Sequence, residues 1–90
     1  MAPNRDTLLL SAISKALLQL RKEPHYDALE IYYYSQREIA EMAEIHINYY
    51  SELERGLKMP TLEVLMKIAR VYKISLTQLV ENIEMNYNKN

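Results

Sequence analysis

The stretch SQREIAEMAEIHINYYSELERG, Ser35 to Gly56, constrains this chain more than any other. Ser35 with Glu38 three residues on is a capping box, in which hydroxyl and carboxylate each satisfy a backbone N–H left open at a helix start. A helix is therefore expected from Gln36. Ile39, Ala40 and Ala43 share one face of it, while Arg37, Glu41 and Glu44 share the other. After Glu44 the apolar pattern restarts with Ile45, Tyr49, Tyr50 and Leu53, out of phase with one straight helix. A turn near Glu44 resolves the mismatch, giving two short helices tightly joined, with Ala40 small where they cross.

Ser35, Gln36, Ile39, Ala40, Ile45, Leu53, Glu54, Arg55, Gly56 and Pro60, in that order, resemble the helix-turn-helix of Cro and the lambda-type phage repressors, the XRE family. With its flanking helices the resemblance covers about residues 8–83. It implies an all-α, five-helix repressor-like DNA-binding domain with a central helix-turn-helix. The implied function is a sequence-specific DNA-binding transcriptional regulator, a repressor or small controller, acting in the cytoplasm as a homodimer on double-stranded DNA.

In this family the second helix, here about 46–55, lies in the major groove, and the residues of its first two turns reach base edges. By motif position those are His46, Ile47, Asn48, Ser51 and Glu52. Asn48 suits a bidentate pair with adenine, Glu52 suits cytosine N4, and Ile47 suits a thymine methyl. Gln36 resembles the family's phosphate-binding glutamine, with Arg37 and Lys58 flanking the same surface. Tyr49 falls on the DNA side, where its hydroxyl can meet a phosphate, and Tyr50 falls in the core. Arg21 resembles the helix-one arginine that pairs with the glutamate represented by Glu54. Two positions depart from the pattern: Glu44 stands where a glycine is usual, at a cost of about 1 kcal/mol for positive φ, and the reading helix is poor in Arg and Gln.

Ninety residues, 49% of them apolar, suffice for one domain spanning 1–90. No apolar run is long enough to cross a membrane, no signal-peptide layout is present, and the absence of cysteine excludes disulfides and thiolate metal sites. The formal net charge is −1, and residues 35–56 carry five Glu against Arg37 and Arg55. Residues 57–73 carry Lys58, Lys67, Arg70 and Lys73 against Glu63. A phosphate-facing field must therefore arise mostly outside the second helix. His25 and His46 are the only histidines and one glycine cannot build a phosphate cradle, so no enzyme, metal, cofactor or small-molecule ligand is expected.

Before this motif, residues 1–5 read as a flexible tail, with Asp6 or Thr7 capping a first helix over Leu8 to Lys22. Leu10, Ile13, Leu17 and Leu20 recur on its inner side, Ser14, Lys15 and Gln19 on its outer side, and Pro24 stops it. Thirteen residues then separate Arg21 from Ser35, more than the family's short connection. In this insertion, about 24–34, Leu29, Ile31 and Tyr33 alternate with Glu30, Tyr32 and Tyr34, which allows a short β-strand. No partner strand is visible. The two readings are pairing with the same segment of another subunit, with Leu29, Ile31 and Tyr33 buried in a dimer interface, and a loop whose tyrosines cover the core.

Beyond Gly56, Thr61 caps a fourth helix with a stripe of Leu62, Leu65, Met66, Ala69 and Tyr72. Ser75 and Gln78 make a second capping box before a fifth helix carrying Leu76, Leu79, Val80 and Ile83. Residues 85–90 read as a fraying tail, and the fifth helix is a second place for a dimer contact. The acidic second helix and the tyrosine-rich insertion also support a rival function, a protein-interaction module on the same fold with weak or no DNA binding.

Overall fold

A computed structural model of the protein describes residues 5–89. Five helices and one hairpin follow in the order α1 Arg5–Lys22, β1 His25–Asp27, β2 Glu30–Tyr32, α2 Gln36–Met42, α3 Ile47–Glu54, α4 Leu62–Val71 and α5 Leu76–Asn88. Residues 1–4 and 90, part of the tails expected to be flexible, lie outside the described residues.

The helix starts follow side-chain chemistry. Ser35 accepts from the Glu38 N–H while the Glu38 carboxylate accepts from the Ser35 N–H, so the capping box is complete. Thr61 takes the Val64 N–H and Ser75 takes the Gln78 N–H, the hydroxyl half of the box read there. At α3 the cap is His46, whose Nδ1 accepts from the Asn48 N–H at 3.1 Å. The first helix is already under way at Arg5, so Asp6 and Thr7, read as its cap, lie inside its span.

Three helix ends share one device. Glu44, Gly56 and Lys73 all have positive φ, at 57°, 72° and 57°. Each follows its helix as the left-handed residue of a Schellman motif, and the next N–H, from Ile45, Leu57 or Ile74, reaches back to Ala40, Glu52 or Ala69. A Cβ on Gly56 would meet only ordinary contacts, so its conformation is what favours glycine there. Glu44 adopts the same conformation with a side chain attached. Glu44→Gly is therefore expected to stabilise the domain by about 1 kcal/mol, raising Tm by roughly 4–8 °C. A Tm unchanged or lowered in thermal melts would show that the turn is not strained.

The core is built from Ala12, Ile13, Ala16, Leu17 and Leu20 of α1, Ile39, Ala40 and Ala43 at α2, and Tyr50 and Leu53 of α3. Ile68, Ala69, Val71, Tyr72, Leu79 and Ile83 complete it. On α4 the buried stripe is rotated from the one read in the sequence: Ile68 and Val71 are inside, whereas Leu62 and Met66 are exposed. The fifth helix packs along α1 and does not fray at Met85. It runs to Asn88, and Asn86 is buried, donating to Gln19 Oε1 at 3.1 Å and to the Asn82 carbonyl at 2.9 Å.

The insertion is a hairpin. The partner expected from another subunit is supplied within the chain: His25 pairs with Tyr32, Tyr26 with Ile31, and Asp27 with Glu30. Ala28, at φ 51°, takes the strained first position of the two-residue turn, where glycine is usual. The phase is also opposite to the one expected. His25, Tyr32 and Tyr34 turn inward, with His25 and Tyr34 both against the Tyr72 ring, and Leu29, Ile31 and Tyr33 turn outward. The Tyr34 hydroxyl is pushed up to about 12 by its hydrogen bond with Tyr32 and by burial.

Candidate nucleic-acid interface

The two helices of the motif are held by one polar clamp. Arg21 donates from Nε to Glu54 Oε2 at 2.6 Å and from Nη2 to Oε1 at 2.9 Å, a bidentate fork joining α1 to the end of α3. The Gln36 amide adds a third donor to Oε1 at 3.0 Å, bringing the first residue of α2 to the same carboxylate. Ser14, placed on the solvent side by sequence, instead donates to the Glu54 carbonyl. The Glu54 side chain is 2% exposed and that of Arg21 is 22% exposed.

Burial works to raise the Glu54 carboxyl, but Arg21, the nearby Tyr50 hydroxyl and Gln36 outweigh it and hold it below the ordinary carboxylate value. The same bonds raise Arg21. Burial pushes the hydroxyls of Tyr50 and Tyr72 well above the ordinary tyrosine value. Both phenols are neutral in the fold.

The clamp fixes which side of α3 looks outward. Tyr50, Leu53 and Glu54 are buried, and Ile47 and Tyr49 are half-buried against the core. Asn48, Ser51, Glu52 and Arg55 fall at i, i+3, i+4 and i+7, one stripe on the opposite side, with Asn48 and Arg55 exposed and Ser51 and Glu52 half-buried. Arg37 and Lys58 are exposed on α2 and in the loop after α3.

Two of the residues singled out by sequence have part of their capacity engaged. Gln36 has given one amide N–H to Glu54, leaving the other for an anion. His46, an exposed residue, uses Nδ1 as the α3 cap, which leaves Nε2 outside that bond. Arg55 was read only as part of the closing Glu-Arg-Gly, yet it extends the outward stripe. Its spacing of seven from Asn48 was the available signal.

The clamp also changes the charge of this surface. Of the five glutamates in residues 35–56, Glu54 is neutralised inside and Glu38 is engaged at the α2 cap. Glu38, Glu41, Glu44 and Glu52 keep their charge, against Arg37, Arg55 and the adjoining Lys58. The face is near balance.

Residues 27–79 match a helix-turn-helix family model. The HTH-type transcriptional regulator DdrOP3 of Deinococcus deserti is 42% identical over 48 residues, which are 53% of this chain and 37% of that protein. The chain thus matches little more than a third of that relative's length. The structure of the clp gene regulator ClgR from Corynebacterium glutamicum superposes with a TM-score of 0.71 at 26% identity, covering 89% of this chain and 77% of that one. A second ClgR structure gives 0.62 at 21% identity, covering 97% and 96%, and speaks to the fold alone.

Proposed function

The chain belongs to the helix-turn-helix family, and from that premise we propose that it is a DNA-binding transcriptional regulator that reads the major groove with α3. The observation that carries this reading is the Asn48, Ser51, Glu52, Arg55 stripe, held outward because the clamp on Glu54 locks the other side of α3 into the core. Asn48, Glu52, Ser51 and Ile47 are the base-reading candidates, with His46 Nε2 beside them. Gln36, Arg37, Tyr49, Arg55 and Lys58 are the candidates for phosphate. The regulator acts on cytoplasmic DNA.

We further infer that it acts as a homodimer. One eight-residue reading helix spans few base pairs, and two-fold pairing doubles the site.

A gel shift over a salt series tests the DNA reading. Arg37, Arg55 and Lys58 in each of two protomers give a slope of log K against log salt of about −5, so affinity drops on the order of a thousandfold between 50 and 200 mM salt. Absence of binding, or binding insensitive to salt, would favour the interaction-module reading. Selection of bound sequences from a random duplex pool then gives the operator.

A further inference from the structure

The hairpin presents an outer face that the rest of the domain does not cover. Tyr26, Leu29, Ile31 and Tyr33 are 73%, 100%, 62% and 60% exposed, all on the side away from His25, Tyr32 and Tyr34. Its backbone is open as well. The two-residue turn closes on Asp27 and Glu30 as a hydrogen-bonded pair, and antiparallel pairing alternates, so His25 and Tyr32 form the next such pair. Tyr26 and Ile31, between them, point their N–H and C=O groups to the two open edges.

The edges differ. That of β1 begins beside Pro24, which has no N–H, a common guard against further pairing. Residues 29–33, along β2, carry no proline, and Ile31 and Tyr33 offer donors and acceptors in extended, β-favouring sequence.

We propose that β2 pairs edge to edge with β2 of a second copy of this chain, antiparallel about a two-fold axis at Ile31, to form a four-stranded sheet. The edge is self-complementary in that register. Ile31 faces Ile31 of the second copy across a hydrogen-bonded pair, Leu29 lies opposite Tyr33, and Glu30 lies opposite Tyr32, so no like charges oppose each other. The four outer side chains expose on the order of 500 Å² per protomer. Edge pairing leaves these side chains on one continuous face of the sheet and buries only their flanks at the seam, below the roughly 1,000 Å² total at which specific interfaces begin, which places this contact among weak, reversible ones. The inference rests on the dimer part of the reading above and is independent of its DNA-binding part.

The chain has no cysteine, which makes cross-linking free of background. A hydrogen-bonded antiparallel pair has Cα atoms about 5.5 Å apart, inside the disulfide range. Ile31→Cys in the full chain is expected to form a covalent dimer on mild oxidation at about 100 µM, at least about tenfold faster than Tyr26→Cys, Leu62→Cys or Val80→Cys. In sedimentation the parent should show a reversible dimer that Ile31→Lys shifts to monomer. A monomeric parent at about 100 µM would overturn both the seam and the dimer. A dimeric parent that cross-links faster through Leu62→Cys or Val80→Cys, or stays dimeric as Ile31→Lys, would overturn the seam and leave the dimer standing. A gel shift of reduced Ile31→Cys reads DNA binding separately from either result.

Discussion

Arg21→Ala is expected to cost about 3–5 kcal/mol, and Glu54→Ala distinctly less. The asymmetry comes from burial. With Arg21 gone, Glu54, 2% exposed, is left as a buried carboxylate with only neutral donors around it. With Glu54 gone, Arg21, already 22% exposed, can hydrate its guanidinium. A domain of this size has a total stability of about 5–15 kcal/mol, so Arg21→Ala removes a large share and should lower Tm by roughly 15 °C or more. Equal Tm values for the two variants, or a larger loss for Glu54→Ala, would mean that the carboxylate is not the dependent partner.

The acid limb of the stability curve carries the same information with a definite sign. The folded Glu54 carboxyl lies below the ordinary carboxylate value, so the unfolded chain binds a proton first as pH falls. Its contribution is complete above that unfolded value and is lost as pH drops through the depressed folded one. In Arg21→Ala the remaining burial raises the same carboxyl, and the sign reverses. The gap between parent and variant should therefore narrow in denaturant titrations taken from pH 7 toward pH 3, and a constant gap would exclude Glu54 as its source.

The helix-turn-helix was legible because its local and tertiary signals coincide: the Ser35 and Glu38 capping box, the break of phase at Glu44, and a run of core residues that all point one way. The hairpin was half legible. Strand propensity marks Ile31 to Tyr33, but β1 is the three residues His25 to Asp27 behind a proline, and the turn uses Ala28 and Leu29 where an Asn-Gly or Asp-Gly signal would have announced it. Its phase was not legible at all. Tyrosine serves either face, and the inner set was chosen by a partner distant in sequence, Tyr72. The stripe on α4 was misjudged for a similar reason, since Leu62 and Met66 satisfy helical spacing as well as Ile68 does and only packing against the other helices distinguishes them. At the candidate interface, residue types indicated an acidic surface, and the pairing of Glu54 with Arg21, expected from the resemblance, draws one of those charges inside.

Asn48→Ala is expected to relax discrimination at one base pair by about 1–3 kcal/mol, a factor of roughly 5–150, while Lys58→Ala weakens every duplex alike. The contrast follows from position. Asn48 is the second residue of α3, exposed, and its backbone N–H is already satisfied by the His46 ring, so the side-chain amide is free to present donor and acceptor together to an adenine edge. Lys58 is exposed in the loop beyond the Gly56 cap, where a single charge on a flexible stem can neutralise a phosphate but cannot distinguish bases. Lys58→Ala should accordingly reduce the salt slope by about 1 per protomer, and Asn48→Ala should leave it unchanged. Competition binding on a panel of single-base operator variants, repeated at two salt concentrations, separates the two effects. If both variants lost affinity equally across the panel, α3 would be acting as a phosphate contact, and sequence choice would have to come from the shape of the DNA instead.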